Sequence, residues 1–526
     1  MDPLQRMMNL ATSRGVLTKL PGRTPLMRCS FYADDVAMFM NPKKSDAIMI
    51  QLILSCLAQA SGLHVNATKS SAMPIRCGST NLDDILAPLG IPRRSFPATY
   101  LGMPLSLRNL SKADLDPMLA KFGNKTATWK GGLMAKSDRL VLLKSDLTAL
   151  VIYMMTMHKL PAWALKRLIQ LCCAWLWSGE SACTGGKCRV SWNQICRPKH
   201  LGGLGVLHLA KFGTALRLQW LWLAWQDPPR PWSRSPLPCD GKDRALFAMA
   251  TEITLGDGRK TNFWHDRWLG GQCPKVITPS LFKISTRKNR TVQEAMRADN
   301  WLSDLANGLS DEHLPELTNL AAMLDEVVLL EGQPDTISWR FTPSHEYSAR
   351  SAYLLQFEGA IPVEGFKLIW AAWAPGKCRF FLWTAMLGKV LTADVLLRRG
   401  WENNYFCPLC ERNLETVPHL LIECPWARYA WQKIATLSRM SALLPESWNG
   451  LVNIKDWLLS CVGRATKETK KGMLSLIQLM SWELWRERNR RVFQREFMRQ
   501  EVFVQRVRDE LKLWNLARAG IPFDPG

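Results

Sequence analysis

The stretch Ser30-Phe31-Tyr32-Ala33-Asp34-Asp35-Val36-Ala37-Met38-Phe39-Met40 decides how the first part of this chain reads. Two adjacent carboxylates interrupt an apolar, strand-forming run. Asp favours turns because its side chain bonds to nearby backbone, so Asp34 and Asp35 are expected at the tip of a β-hairpin. Carboxylates held there by rigid strands suit Mg²⁺, a hard cation that takes oxygen ligands and demands near-ideal geometry. The same pair also fits an ordinary solvated turn. The residues that follow separate the two readings.

Working outward, the pattern over 26–105 is compact α+β. The hairpin precedes a helix opened by Ser45 or Asp46 as N-cap and closed by Gly62, with an apolar stripe of Met49, Leu52, Ile53, Cys56, Leu57 and Ala60. A strand is expected at 63–65 and a tight turn at Tyr100-Leu101-Gly102-Met103-Pro104. Residues from about 110 to 225 read as helical, with Leu165, Leu168, Cys172 and Trp175 on one face of a helix that follows Pro161. The Pro-rich run from Asp227-Pro228-Pro229-Arg230-Pro231 to Cys239 reads as a linker. Gly256-Asp257-Gly258 and Trp264-His265-Asp266-Arg267-Trp268 suggest a small hairpin. Residues 270–345 carry no clear pattern.

The chain has 526 residues, enough for two to four domains, since single cores stop growing near ~250–300 residues. Its formal charge of +23 points to a polyanionic partner, nucleic acid first, because each neutralised phosphate releases counterions. An apolar fraction of 47% with 24 tryptophans argues against disorder. Fifteen irregularly spaced cysteines and no signal-peptide pattern lead to the expectation of a reduced intracellular setting. The most apolar stretches, 140–157 and 215–225, are short or carry Lys144, Asp146 and Arg217, so no membrane span is expected.

Cys407-Pro408-Leu409-Cys410, His419 and Cys424 form a Cys-x2-Cys-x8-His-x4-Cys array with zinc-ligand chemistry. The first pair sits within one tight turn. Leu420-Leu421-Ile422 looks helical, and Pro425 should end that helix at Cys424. A regular helix would set His419 and Cys424 apart around its axis, so its end must loosen if both are to face one tetrahedral Zn²⁺. Cys183, Cys188, Cys196 and His200 are too loosely spaced for a second site. Near the C-terminus Trp482, Trp485, Arg486, Arg488, Arg490, Arg491 and Phe493 fall in a helical segment. Arg486 and Arg490 share a face that either tracks a phosphate backbone or is simply solvated.

The Tyr-x-Asp-Asp stretch resembles the box of that form in reverse transcriptases. Ser61-Gly62-Leu63-His64-Val65-Asn66-Ala67-Thr68-Lys69-Ser70 and Tyr100-Leu101-Gly102-Met103-Pro104-Leu105 resemble the next two palm motifs, in the wording of non-LTR retroelements common in plants. The resemblance implies that Asp34 ligates Mg²⁺ with Asp35 in support, that Lys69 donates a proton to pyrophosphate, and that Leu101 and Gly102 grip the primer strand. Trp129, Leu133, Arg139, Tyr153 and Pro161 match the thumb-like region, although Asp138 stands where a glycine is usual and Lys136 and Ser137 are atypical. Leu176-Trp177-Ser178-Gly179, Trp192, Cys196, Pro198-Lys199 and Leu201-Gly202-Gly203-Leu204-Gly205 continue the pattern. The zinc array resembles the zinc-binding domain at the C-terminal end of plant retroelement reverse transcriptases, with Phe380-Phe381-Leu382-Trp383 and Pro418-His419-Leu420 in matching wording.

In that family the first catalytic aspartate and the fingers precede the hairpin. The expectation is therefore an α+β chain: a truncated reverse-transcriptase palm followed by mainly helical thumb and connection regions and a small zinc-binding module. The expected bounds are a partial palm at 1–108, a thumb-like region at 109–226, a linker and mixed region at 227–345, a zinc module at 346–432 and a basic helical region at 433–526. Zn²⁺ is the expected cofactor, with Mg²⁺ only if an intact palm is supplied, and RNA or DNA the expected partner. The resemblance implies a nuclear location and a chain without polymerase activity alone. A zinc-dependent nucleic-acid-binding or interaction protein, or the product of a decayed element, is the alternative.

Overall fold

The structure, a computed structural model, describes residues 2–523 apart from 22–27, 79, 109, 129–130, 183–185, 227–231, 233–235, 306–307 and 449. The readings placed on Trp129, Cys183 and 227–231 fall outside the described residues. The chain divides into two compact units, Met1–Met118 with Leu221–Leu237, and Leu119–Trp220 with Pro238–Gly526.

The first unit is small α+β. Helix α1 (Asp2–Ser13), strands β1 (Cys29–Tyr32) and β2 (Asp35–Met38), and helix α2 (Lys44–Ser61) surround a core of Leu4, Met8, Leu17, Cys29, Ile50 and Ile53. Leu4 and Met8 meet at i,i+4 on α1. Alternation along the strands turns Phe31, Val36 and Met38 toward the same core. Tyr32 pairs with Asp35, so Ala33 and Asp34 form a two-residue loop, with Ala33 at φ +51°. The hairpin therefore forms where it is expected.

Three details depart from expectation. Neither Ser45 nor Asp46 caps α2; Lys43 occupies the cap without a side-chain bond, and Asp46 is buried, accepting from Thr18 N at 3.2 Å and Thr18 Oγ1 at 3.0 Å. That carboxylate ties the loop after α1 to α2 instead of serving its own helix end. The buried stripe of α2 is Ala47, Ile50 and Ile53, with Met49 and Leu57 partly covered, while Leu52, Cys56 and Ala60 face solvent. The core meets α2 on one side only, which leaves a narrow apolar face. No strand forms at 63–65: Leu63 and Val65 are exposed and lack a partner strand, and the chain runs into a turn where Asn66 Oδ1 accepts from Lys69 N at 3.1 Å. Gly62 does close α2, left-handed at φ +72°. Strands β3 (Ala98–Tyr100) and β4 (Met103–Leu105) turn through Leu101 and Gly102, both left-handed at φ +51° and +76° as a type I′ hairpin requires.

The second unit is mainly helical. Helix α3 (Ala162–Ser178) starts after Pro161 and buries Leu168, Cys172 and Trp175, as expected. Its closing Gly179 packs so tightly on Gly131 that a Cβ on Gly131 would lie 2.2 Å from the Gly179 carbonyl oxygen. Arg139 Nε donates to Gly131 O at 2.8 Å, and Trp175 Nε1 donates to Arg139 O at 3.0 Å, which fixes this junction. One helical run among the described residues, Lys136–Met157, is long and apolar enough to cross a membrane by length and composition. Here Leu140, Leu143, Leu147, Val151, Met154 and Met155 are buried within the unit. Lys144 Nζ donates to Leu204 O, and Asp146 pairs with Lys125 at 3.0 Å.

The hairpin expected from Gly256-Asp257-Gly258 and Trp264-His265-Asp266-Arg267-Trp268 does not form. Strand β5 (Thr251–Thr254) pairs antiparallel with the distant β6 (Thr336–Trp339), and the two motifs lie in turns beyond β5. Asp335 explains this. Its carboxylate accepts from the backbone N–H groups of Gly256 (2.8 Å), Gly258 (2.9 Å), Lys260 (3.0 Å) and Thr261 (3.0 Å), and from Thr261 Oγ1 (2.8 Å). The loop is thus organised around one anion, not a strand ladder, and Phe263, Trp264 and Trp268 pack beside it. The unpatterned region 270–345 supplies short helices such as Pro279–Ile284 and Leu314–Asp325, together with β6.

The C-terminal part packs helices α4 (Gly376–Met386), α5 (Pro425–Leu437), α6 (Ile454–Arg464), α7 (Lys470–Phe493) and α8 (Gln500–Leu516). Residues 472–481 of α7 are all buried, which makes it the central helix. Trp431, Trp448 and Trp457 meet edge-to-face with centroids 5.5, 5.6 and 5.5 Å apart, a favourable aromatic geometry.

Burial alone would raise the Asp335 pKa, but the hydrogen bonds from Gly256, Gly258 and Thr261 win and hold it below the usual carboxylate value. A depressed folded-state pKa means stability that is present above the ordinary carboxylate pKa and is lost as pH falls through the lowered one. Asp335→Ala strands these backbone donors and should cost about 3 kcal/mol or more. The measurement is the thermal midpoint at neutral pH, and a variant that melts with the wild type would refute the anion-centred account of this loop.

Candidate metal centre

Cys407 and Cys410 sit on a knuckle closed by Cys407 N donating to Asn413 O at 2.7 Å and Glu411 N donating to Cys407 O at 2.8 Å. Phe406 and Leu414 bridge across its base. The other two candidate ligands come from the segment His419–Glu423, which is not α-helical but a single π-turn. Cys424 N donates to His419 O at 2.7 Å, an i→i+5 bond. In a regular α-helix two residues five apart lie about 140° apart around the axis. Widening the turn by one residue brings His419 and Cys424 close to one full turn apart and onto one side. This is the loosening that the array requires, and Pro425 starts α5 immediately beyond.

The four ligand atoms converge within 4.8 Å of one another. Cys407 Sγ lies 3.9 Å from Cys424 Sγ, and Cys410 Sγ lies 3.4 Å from His419 Nε2. Tetrahedral zinc with ordinary Zn–S and Zn–N bonds places such pairs ~3.8 Å and ~3.6 Å apart. The residues therefore fit Zn²⁺, and four protein ligands with no open position make a structural centre and not a catalytic one. Cys407, His419 and Cys424 are buried and Cys410 is partly covered.

Without metal the cluster competes for protons. The hydrogen bond to Cys424, with burial, pushes the Cys407 thiol up to about 12, and the same bond lowers that of Cys424. Burial disfavours the His419 imidazolium, yet hydrogen bonds to the Cys407 and Cys410 sulfurs outweigh it and raise the pKa to about 9. Metal binding displaces these protons.

Helix α7 clamps the module from outside. Arg488 Nε and Nη2 donate to Glu415 Oε1 and Oε2 at 2.6 and 2.8 Å, a bidentate pair that is almost fully buried. Glu415 Oε2 also accepts from Ala393 N at 2.8 Å. Arg491 Nη1 donates to Pro408 O and Leu409 O, both at 3.1 Å, while its Nε holds Glu487 Oε1 at 2.9 Å. The two carbonyls belong to the residues between Cys407 and Cys410, so Arg491 holds the knuckle's loop directly. Glu415 carries no motif signal in the sequence. Arg488 and Arg491 are visible there only as part of a basic run.

The remaining candidate residues are dispersed. Asp34 and Asp35 are exposed at the first hairpin, Lys69 is exposed in the turn after Asn66, and Leu101 and Gly102 form the second hairpin's loop. Among the described residues no third ligand joins Asp34 and Asp35 in a metal-holding group. Arg486 pairs with Glu483 at 2.9 Å and Arg490 approaches Glu487 at 3.8 Å. Cys188 is exposed and Cys196 buried, and among the described residues neither groups with His200 around a metal.

The family of zinc-binding domains in reverse transcriptases matches residues 347–431. A putative ribonuclease H protein of Arabidopsis thaliana is 23% identical over 422 residues, covering 74% of this chain. The chain spans 66% of that relative's length, just under two thirds. Together the match and the similarity point to a reverse-transcriptase-related protein of retroelement type.

The purified chain should carry one tightly held zinc, lost in Cys407→Ser. Arg491→Met removes no ligand but frees the Pro408 and Leu409 carbonyls; partners of this rank typically contribute ~10–100-fold in metal affinity. Competition with a chromophoric chelator measures both, and unchanged affinity in Arg491→Met would refute the clamp. Because His419 must lose its proton to ligate, apparent zinc affinity should climb between neutral pH and about 9.

Proposed function

We propose that this chain is the nucleic-acid-handling portion of a non-LTR retroelement reverse transcriptase, built around a structural zinc centre. The observation that carries this reading is the converging Cys407, Cys410, His419 and Cys424 set on a knuckle and π-turn, inside the stretch matched by the reverse-transcriptase zinc-binding family. The net charge of +23 adds a sequence-independent attraction to phosphates. When bound, zinc supplies cross-linking of two chain segments and no chemistry.

The hairpin bearing Asp34 and Asp35 is the part of this reading that concerns polymerisation. Nucleotidyl transfer by two metals requires carboxylates that clamp both ions ~3.5–4 Å apart. Asp34 and Asp35 offer two exposed carboxylates on one hairpin, and no third ligand accompanies them among the described residues. We therefore assign them a role only beside a further acidic strand, with Lys69 and the Leu101–Gly102 loop as proton donor and primer contact in that assembly. Ribonuclease H chemistry, named for the Arabidopsis relative, needs a comparable carboxylate cluster and is not carried over. A nuclear site of action is part of this proposal, because the elements that the chain resembles do their chemistry on chromosomal DNA.

The zinc-loaded chain should bind nucleic acid with an affinity that falls steeply with salt, and Cys407→Ser should weaken it together with zinc loss. Anisotropy of labelled oligonucleotides over a salt series measures this. In a template-primed assay with Mg²⁺ the chain alone should make no DNA. Synthesis abolished by Asp34→Asn would overturn that assignment, and absence of salt-sensitive binding would overturn the reading as a whole.

A further inference from the structure

A cavity of about 1060 Å³ opens beside the zinc knuckle, lined by residues of α4, the last turns of α7, the segment 401–411 and the start of the helical run at Lys136. It lies at the upper end of the size range of small-ligand sites. Its charge is one-sided. Among the described residues of the lining, Glu411 is the one carboxylate, against six cations. Two of these, Arg488 and Arg491, are occupied by Glu415 and Glu487. The other four, Lys136, Arg189, Lys377 and Arg495, have no carboxylate within ion-pair distance among the described residues. Burial, with Arg189 and Arg139 nearby, holds the Lys136 ammonium down to about 8.

The rim is aromatic. Trp401, Phe406, Phe493 and Phe497 line the cavity while remaining 65%, 49%, 76% and 65% exposed. Large rings left in water beside uncompensated cations need an occupant with both anionic charge and flat apolar faces. A single-stranded polynucleotide has both at each residue, a phosphate and an unpaired base. A duplex does not suit this rim, because its bases are already stacked inward and offer the rings nothing to stack on. An acidic peptide would answer the cations and leave the rings bare.

Resting on the nucleic-acid reading above, we infer that this groove is a sequence-tolerant binding site for single-stranded RNA or DNA, with the rim rings stacking on bases and Lys136, Arg189, Lys377 and Arg495 contacting phosphates.

The test uses the full zinc-loaded chain and fluorescently labelled dT20, rU20 and a 20-base-pair duplex, read by anisotropy. Both single strands should bind more tightly than the duplex. Trp401→Ala and Phe493→Ala, at exposed positions that leave the fold intact, should each weaken single-strand binding by about five-fold or more. Lys377→Gln with Arg495→Gln should flatten the log–log salt slope by about 1.4, which corresponds to two phosphates lost. Far-ultraviolet dichroism and zinc content, unchanged in all variants, establish that folding is intact. If the chain binds dT20 and none of these variants alters the binding, the groove assignment falls and general nucleic-acid binding stands. Equal affinity for the duplex, or displacement by polyglutamate that the ring substitutions do not affect, also overturns it. If no oligonucleotide binds at all, both readings fall.

Discussion

The hydrogen bond from Cys424 N to His419 O decides whether the C-terminal half of this protein has a metal centre. Everything else about the module is permissive: a tight CxxC turn, a buried imidazole and a proline to end the segment. A regular α-helical bond would leave His419 and Cys424 on different sides, and the array would be three ligands and a stray cysteine. The π-turn has a cost, since it gives up favourable helix geometry. Neighbouring groups help to hold it: Thr416 Oγ1 accepts from His419 N at 3.1 Å, and Trp431 Nε1 donates to the Leu421 carbonyl within the turn at 2.8 Å. These partners come from both sides of the segment, so the irregular turn is over-determined by packing.

Helix α7 links the metal centre to the core. Its first half is buried on all sides and carries Met473, Leu474, Leu476, Ile477, Leu479 and Met480. Its second half turns basic, and its arginines divide by what they meet. Arg488 meets the buried Glu415, and Arg491 meets Glu487 and two knuckle carbonyls. A buried ion pair is a poor source of net stability, because desolvation offsets much of the attraction. Its value is in specificity: a bidentate guanidinium–carboxylate pair permits one docking register of the knuckle on α7. The basic character of this helix is therefore largely architectural. The cations available to a ligand are spread over other elements, where no run of charge in the sequence announces them.

What could be read from the sequence followed the range of the interaction involved. The two hairpins at Asp34–Asp35 and at Leu101–Gly102 are legible because a hairpin loop is set by its own few residues, although the first loop is Ala33–Asp34 and Asp35 already opens β2. The zinc array was legible because ligand spacing is a covalent property, and even the irregular turn could be inferred from the incompatibility of helical geometry with a shared metal. Helix α3 was legible from its period. The failures involve distant partners. Nothing near Asp335 in the chain shows that it will gather the backbone of residues 256–261, so the local sequence suggests a hairpin where an anion organises a loop. Asp46 looked like a cap and serves Thr18 instead. The buried stripe of α2 is narrower than its sequence suggests, because apolar spacing sets a face but not how much of it the neighbours cover. Residues 63–65 have strand-like composition, and a strand exists only where another chain segment offers its edge.

The two units also differ in how complete their chemistry is. In the zinc module all four ligands of a tetrahedral site are present between Cys407 and Cys424, and each is held by a hydrogen bond or by burial. In the first unit the acidic loop is well formed but solvated: Asp34 and Asp35 are exposed, and no cation or donor among the described contacts holds either carboxylate. A catalytic metal site derives its power from ligands that are fixed before the metal arrives. Free carboxylates on a two-stranded hairpin must be ordered at the moment of binding, which weakens the site by the entropy of that ordering. The zinc centre is preorganised and the acidic hairpin is not. What this chain fixes in advance is the set of groups that the zinc module holds in place, and in the reading proposed above the hairpin takes a catalytic role only beside a further acidic strand.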